Sequence, residues 1–234
     1  MKKLKEWWEE HKNVNLLNVL RKNRAFDRFL QRWLEKKRRY FLSSPSKEAF
    51  HRRLMKFYRP FMPFYKNASP EKLQNWDILE RRDFFLKNVR PRAIDIGMQD
   101  GFFVRELKKN GINTVGVDSV ELLVQHARSK DPQGEYHNCF AEKMPFPDNA
   151  FQTATCSHVL EHVLDPPEIL KEIQRILKPA GRIIVVVPYD LDIEPTHLRQ
   201  YDKEALLTEV GRFFEIESYH EKIGAGHGCI ARKM

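Results

Sequence analysis

The sequence predicts an α/β protein: a mostly parallel sheet covered by helices and preceded by an all-helical extension. Three observations carry this. From residue 92 onward, apolar runs of strand length alternate with helical stretches bounded by Gly or Pro, which implies parallel crossovers and a sheet covered on both faces. Before residue 91, the large apolar residues fall at helical spacing instead. Charge divides at the same place. Residues 1–92 hold 25 Lys and Arg against 10 Asp and Glu, a net +15, so the remainder of a chain totalling +9 is −6.

Within the extension, Leu16, Leu20, Phe26, Phe29, Leu30, Trp33, Leu34 and Phe41 predict a helix over 15–40, basic on its other face through Arg24, Arg28, Arg32 and Lys36. Ser43-Ser44-Pro45-Ser46 breaks it. Ser46 and Ala49 are placed to cap a second helix carrying Phe50, Leu54, Phe57 and Tyr58, which Pro60 and Pro63 end. Ser69-Pro70-Glu71 predicts a third N-terminus, with proline at the first helical position, running through Leu73, Trp76, Leu79 and Phe84. Residues 1–90 are therefore expected to be helical, and residues 91–234 to form the α/β domain.

In that domain the predicted strands are 92–96, 114–118, 135–139, 151–156 and 182–187, and the predicted helices are 101–110, 120–130, 166–177 and 203–210. Residues 213–220 and 228–232, joined through Gly224-Ala225-Gly226, predict a closing antiparallel hairpin. The composition, 41% hydrophobic and 31% charged, is that of a folded protein. No apolar run reaches the roughly 18 residues of a membrane span. The N-terminus lacks a signal peptide's apolar middle, so a cytoplasmic location is expected. Cys139, Cys156 and Cys229 are odd in number and sit in apolar runs, as reduced buried thiols would.

The turn D-I-G-M-Q-D-G at 95–101 leaves the first strand where an α/β sheet binds ligands. A dinucleotide turn needs glycine at 97, 99 and 102 but finds Gly97, Gln99 and Phe102, and no Gly-Lys-Ser/Thr ending follows for a P-loop. With Gly116-Val117-Asp118 closing the second strand, the turn resembles the D-x-G-x-G-x-G motif of class I S-adenosylmethionine-dependent methyltransferases. Three further segments resemble that family in order: Ala141 to Phe151 (A-E-x-L-P-F-x-D-x-x-F), Ser157 to Val163 (S-x-V-L-E-H-V) and Leu177 to Arg182 (L-K-P-G-G-x). Together they resemble the type-11 subfamily, which acts mostly on small molecules and lipids. Residues 1–90 lie outside the resemblance.

The resemblance implies a Rossmann-like sheet of order 3-2-1-4-5-7-6 with strand 7 antiparallel. It also implies S-adenosylmethionine held by Asp95, Gly97, Gln99, Gly101, Asp118, Ser119, Ala141, Glu142 and Ser157. Asp118 would hold the ribose, since a carboxylate can accept from two vicinal hydroxyls. Three positions depart from the pattern. Ala180 for glycine is expected to be neutral, and Phe140 for aspartate removes an acceptor for the adenine amino group. Gln99 for the middle glycine leaves two readings, an adjusted turn or a closed pocket in an inactive scaffold.

Methyl transfer from a sulfonium is an in-line displacement, so positioning dominates, and a base is needed only where the acceptor must lose a proton. The candidates are His158 after strand four and His197 in a segment resembling H-x-R-x-Y/F; His162 is expected to be structural. His158, Glu161 and His162 share a helical face suited to a metal, but three ligands lack a fourth, and no metal is expected. The leading expectation is methylation of a small or medium-sized acceptor, such as a lipid or glycan, at oxygen. RNA or tRNA methylation is a second, weakened by Cys156-Ser157-His158-Val159 standing where N-P-P-Y accompanies base methylation. A scaffold is the third. The extension is expected to pack as a lid or against a second subunit in a homodimer. Its charge favours anionic acceptors, and its aromatic residues, Trp7, Trp8 and Trp33 among them, also suit nucleic acid or a peripheral membrane contact.

Overall fold

The computed structural model describes residues 24–59, 76–189 and 196–234. The expectations that rest on Trp7, Trp8, Leu16, Leu20, Pro60, Pro63, Leu73 and the Ser69 cap lie outside these residues.

The described residues begin with a helical hairpin, α1 (Arg24–Leu42) and α2 (Lys47–Tyr58). Ser46 caps α2 as its sequence implies, its hydroxyl accepting from the Ala49 N–H at 3.2 Å. Phe41, Phe50 and Leu54 make a small buried cluster between the helices, completed by Leu164 and Leu198 from the α/β domain. α3 (Trp76–Asn88) follows.

The sheet then alternates with helices: β1 (Ala93–Ile96), α4 (Phe102–Lys109), β2 (Thr114–Asp118), α5 (Glu121–Lys130), β3 (Glu135–Asn138), β4 (Phe151–Ser157), α6 (Pro166–Ile176), β5 (Leu177–Pro188), α7 (Lys203–Gly211), β6 (Phe214–Ile223) and β7 (Gly226–Lys233). Strand order is β3-β2-β1-β4-β5-β7-β6. Only the pairings of β7, with β5 and β6, are antiparallel. This is the order the resemblance implied. One sheet face, including Ile94, Ile96, Val115 and Val117, packs on Ile169, Leu170 and Ile173 of α6 and on Leu206 and Val210 of α7. The other, including Ala93, Ile184 and Val186, packs on Phe85 and Val89 of α3 and Leu107 of α4. α3 thus belongs by packing to the sheet it precedes.

Two details differ from expectation. β5 begins at Leu177 rather than 182, because Leu177 pairs with Phe151 before the irregularity between Phe151 and Thr153. Ala180 is not neutral for the backbone: its φ is +57°, a left-handed conformation in which glycine has no Cβ penalty and alanine does.

Candidate functional site

Parallel strands deliver their carboxyl ends to one edge of the sheet, where the side chains that close β1, β2 and β4 converge. β1 brings Asp95. It is buried, and its Oδ1 accepts from the Thr155 hydroxyl at 2.6 Å while Oδ2 is buried with no hydrogen-bond partner. Burial pushes this carboxyl up to about 7, opposed by the Thr155 bond and reinforced by the Asp118 charge. β2 brings Asp118, likewise buried and pushed up to about 6 by burial against the pull of two backbone N–H donors.

Those donors are Gln99 N–H to Oδ2 at 2.9 Å and Val120 N–H to Oδ1 at 2.8 Å. The turn reaches this arrangement through left-handed backbone at Gly97 (φ +71°), Gln99 (φ +51°) and Gly101 (φ +74°). At Gly97 a Cβ would lie 2.5 Å from Val159 Cγ2, so both φ and space demand glycine. At position 99 the turn adopts the glycine-like conformation although the residue is glutamine.

Two cavities flank the turn and share Gly97, Gln99 and His158 along their walls. The larger, about 190 Å³, is bounded by Asp118, Ser119, Ala141 and Glu142 and by Phe50, His51, Leu54 and Met55 of α2. Here Phe140 stacks on His51 with ring centroids 3.9 Å apart and planes 27° from parallel, and His51 Nε2 stands 3.7 Å from Glu142 Oε1. The smaller cavity, about 110 Å³, is bounded by Asp95, Asp100, Ser157 and Arg81 of α3. Arg81 donates to the Ser157 hydroxyl at 3.2 Å and to Asp77 at 2.6 Å, leaving its Nε buried without a partner.

The structure therefore gathers Asp95, Gly97, Gln99, Asp118, Ser119, Ala141, Glu142, Ser157 and His158 around these cavities. Gly101 lines neither. It N-caps α4, and a Cβ there would meet Tyr136 Cε1 at 2.9 Å. His197 also lines neither: it is buried, its ring edge-on to His162 at 4.6 Å, and its carbonyl accepts from Arg38 Nε at 2.8 Å. Among the described residues, the His-Glu grouping with ligand atoms within 4.8 Å of one another is Glu161, His162 and His197, not the trio containing His158.

His158 itself has φ +56° and a buried Nε2 with no hydrogen-bond partner, and its Nδ1 stands 3.8 Å from Glu161 Oε1. Burial, together with the charges of Arg81, His162 and His197, holds its imidazole well below the ordinary histidine range, so it is neutral at neutral pH. Arg199, the arginine of the H-x-R segment, fastens the chain after β4. It donates to the carbonyls of Leu160 at 2.8 Å, Leu164 at 3.1 Å, and Val163. Arg81, His51 and Thr155 escape sequence reasoning, because the contacts that bring them to the site, to Ser157, Phe140 and Asp95 respectively, span 60 or more residues and no local pattern announces them.

A sheet of this order, with acidic residues ending β1 and β2 around a left-handed turn, defines a class I methyltransferase fold. The type-11 family description "Methyltransferase domain" matches residues 94–185, and those residues are a methyltransferase domain of that family, whose methyl donor is S-adenosylmethionine. The chain is 31% identical over 99 residues to the demethylmenaquinone methyltransferase of Chlorobaculum parvum, covering 42% of this chain and 41% of that one. It is 28% identical over 98 residues to the ubiquinone biosynthesis O-methyltransferase of Acinetobacter baylyi, covering 39% and 41%. The chain thus spans about two fifths of the length of these relatives. In fold it is similar to the PH0226 protein of Pyrococcus horikoshii, with a TM-score of 0.64 at 19% identity over 76% of this chain and 99% of the other.

Proposed function

We propose that this chain methylates an oxygen of a small or medium-sized acceptor, with S-adenosylmethionine as donor. The observation that carries the reading is the pair of cavities meeting at Gly97, Gln99 and His158, one edged by the Asp118 carboxylate and the other by the Asp95 carboxylate and Arg81.

The residues present suit the donor's parts. Asp118 keeps lone pairs for a ribose diol beyond its two backbone bonds. Ala141 and Glu142, with the stacked rings of Phe140 and His51, line the larger cavity beside it and are the residues an adenine would meet there. The orphaned Asp95 Oδ2 and Arg81 Nε are an acceptor and a donor left for the ammonium and carboxylate of a methionine moiety. Bound there, S-adenosylmethionine supplies an activated methyl group for in-line displacement. The chain's own contribution is to orient both reactants and to exclude water under α2. The neutral imidazole of His158, shared by both cavities, accepts the proton an acceptor hydroxyl must shed. His197, one ring removed behind His162, positions rather than touches.

Oxygen as the acceptor atom is supported by the name of the Acinetobacter baylyi relative and by a base in place. The α1–α2 hairpin is the lid of this site, since α2 walls the larger cavity. The test is calorimetry with S-adenosylhomocysteine, followed by radiolabelled methyl transfer to a panel of phenols and hydroquinones. Micromolar binding and labelling of a hydroxyl are expected. No binding at millimolar ligand would sink the enzyme reading and leave a scaffold, and labelling of RNA alone would replace the acceptor class.

A further inference from the structure

α1 carries two parallel stripes, and the fold uses one of them. Leu30, Leu34 and Phe41, at i, i+4 and i+11, are buried beneath the helix. One residue earlier in each case, and so rotated by roughly 100° around the axis, stand Phe29, Trp33 and Tyr40. Phe29 is 66% exposed, Tyr40 is 46% exposed and Trp33 is half-buried, with the Lys37 ammonium 5.8 Å from the Trp33 ring. Arg28, Arg32, Lys36 and Arg39 are exposed alongside. Over the 19 residues of α1 there are seven Lys and Arg against two acidic residues.

We propose that this outer face of α1 is a docking surface for a bilayer bearing anionic headgroups. Aromatic rings flanked by long basic side chains on one side of a helix suit a helix lying in the membrane interface, rings toward the acyl boundary and cations among the headgroups. A helix of 19 residues presents this face along roughly 28 Å, enough to lie flat. Charge complementarity selects the occupant. A second copy meeting the same face would set arginines against arginines. Single-stranded nucleic acid is usually held in a groove that tracks its backbone, whereas this surface is a convex helix. The hairpin whose inner helix walls the donor cavity thereby carries the membrane contact on its outer helix. Arg38 of α1 also bonds the carbonyl of His197, so the docking helix is tied to the loop that follows β5.

The experiment is co-sedimentation of the full chain with vesicles of phosphatidylcholine alone or with about one third phosphatidylserine, at low and high salt. Binding is expected only to the anionic vesicles and should fall steeply with salt. Phe29→Ser, and separately Arg32→Glu with Lys36→Glu, should each weaken it by at least about tenfold with thermal melting unchanged. Absent or salt-insensitive binding of the unaltered chain overturns the proposal without any variant. Variants that bind as the parent does place the contact elsewhere in the chain and also overturn it. So does loss, in the same variants, of a dimer seen by light scattering or of retained single-stranded RNA, which would name those partners instead.

Discussion

The backbone N–H of Gln99 donates to the Asp118 carboxylate at 2.9 Å, so the residue that breaks the glycine pattern of the turn also ties the turn to the acid at the end of β2. Position 99 must supply a left-handed backbone and an N–H, and glutamine supplies both at φ +51°. This favours the adjusted turn over the closed pocket.

Exchange at this pair separates backbone from side chain. Gln99→Gly keeps the N–H and removes only a side chain from between the cavities, so S-adenosylhomocysteine should bind within about threefold of the parent, under 1 kcal/mol. Asp118→Asn removes a charged acceptor worth about 1.5–3 kcal/mol, and binding should weaken roughly 10- to 100-fold. Calorimetry on both variants decides. A gain beyond tenfold in Gln99→Gly would mean that glutamine blocks the site in the natural chain.

Donor affinity should depend on pH through Asp95 and then Asp118. Both carboxyls are raised by burial, to about 7 and about 6, so the folded protein holds protons there that the unfolded chain, with ordinary carboxyls near 4, has released. The sign follows. These groups lower stability progressively as pH rises from about 4 to 7, and a ligand that needs them ionised must displace their protons below about pH 7 at Asp95 and about pH 6 at Asp118. Affinity for S-adenosylhomocysteine is expected to be flat above pH 7.5, to fall up to about tenfold per unit below 7, and to steepen below 6. Asp95→Asn should remove the first limb. A pH-independent affinity between 5.5 and 8 would overturn this account.

Ala180 offers a stability test remote from the site. An L-residue in the left-handed region costs about 1–2 kcal/mol, partly offset because glycine loses more chain entropy on folding. Ala180→Gly should therefore stabilise by about 0.5–1 kcal/mol, raising the melting temperature by roughly 2 °C for a chain of this size. Gly97→Ala should do the reverse and by more, because φ +71° and a contact of 2.5 Å to Val159 act together. Scanning calorimetry reads both, and an unchanged or lower midpoint in Ala180→Gly would contradict the first.

What could be read ahead of the structure was what is written locally. β2 was legible to the residue because T-V-G-V-D is apolar and bounded by turns, and the Ser46 cap because its partner is three residues away. The turn and Asp118 were legible because their motif fits within 24 residues, 95–118. Arg81 was not, since it reaches Ser157 across 76 residues. Nor was the burial of His197: its position after β5 is equally compatible with an open ring, and its edge-on packing against His162 and the bond of Arg38 to its carbonyl come from residues distant in sequence. Phe140 reads in sequence as a lost acceptor, whereas in the fold its ring stacks on His51, a partner from the extension.

His158 is where the proposed chemistry is most exposed to failure. Its imidazole lies well below the ordinary histidine range through burial, so it remains an acceptor of protons as pH falls toward 6, while donor binding weakens through Asp95. The two groups should therefore divide the kinetics. With any hydroxyl acceptor that the labelling screen identifies, kcat should stay nearly level between pH 7.5 and 6 while kcat/KM for the donor declines. His158→Gln should lower kcat by about 10²- to 10⁴-fold, the range for losing a general base, with S-adenosylhomocysteine affinity within about twofold. His197→Gln should cost less in kcat and raise KM for the acceptor, as befits a residue acting through His162. If His158→Gln keeps kcat but loses donor affinity, the ring is part of the donor cavity's wall and not the base.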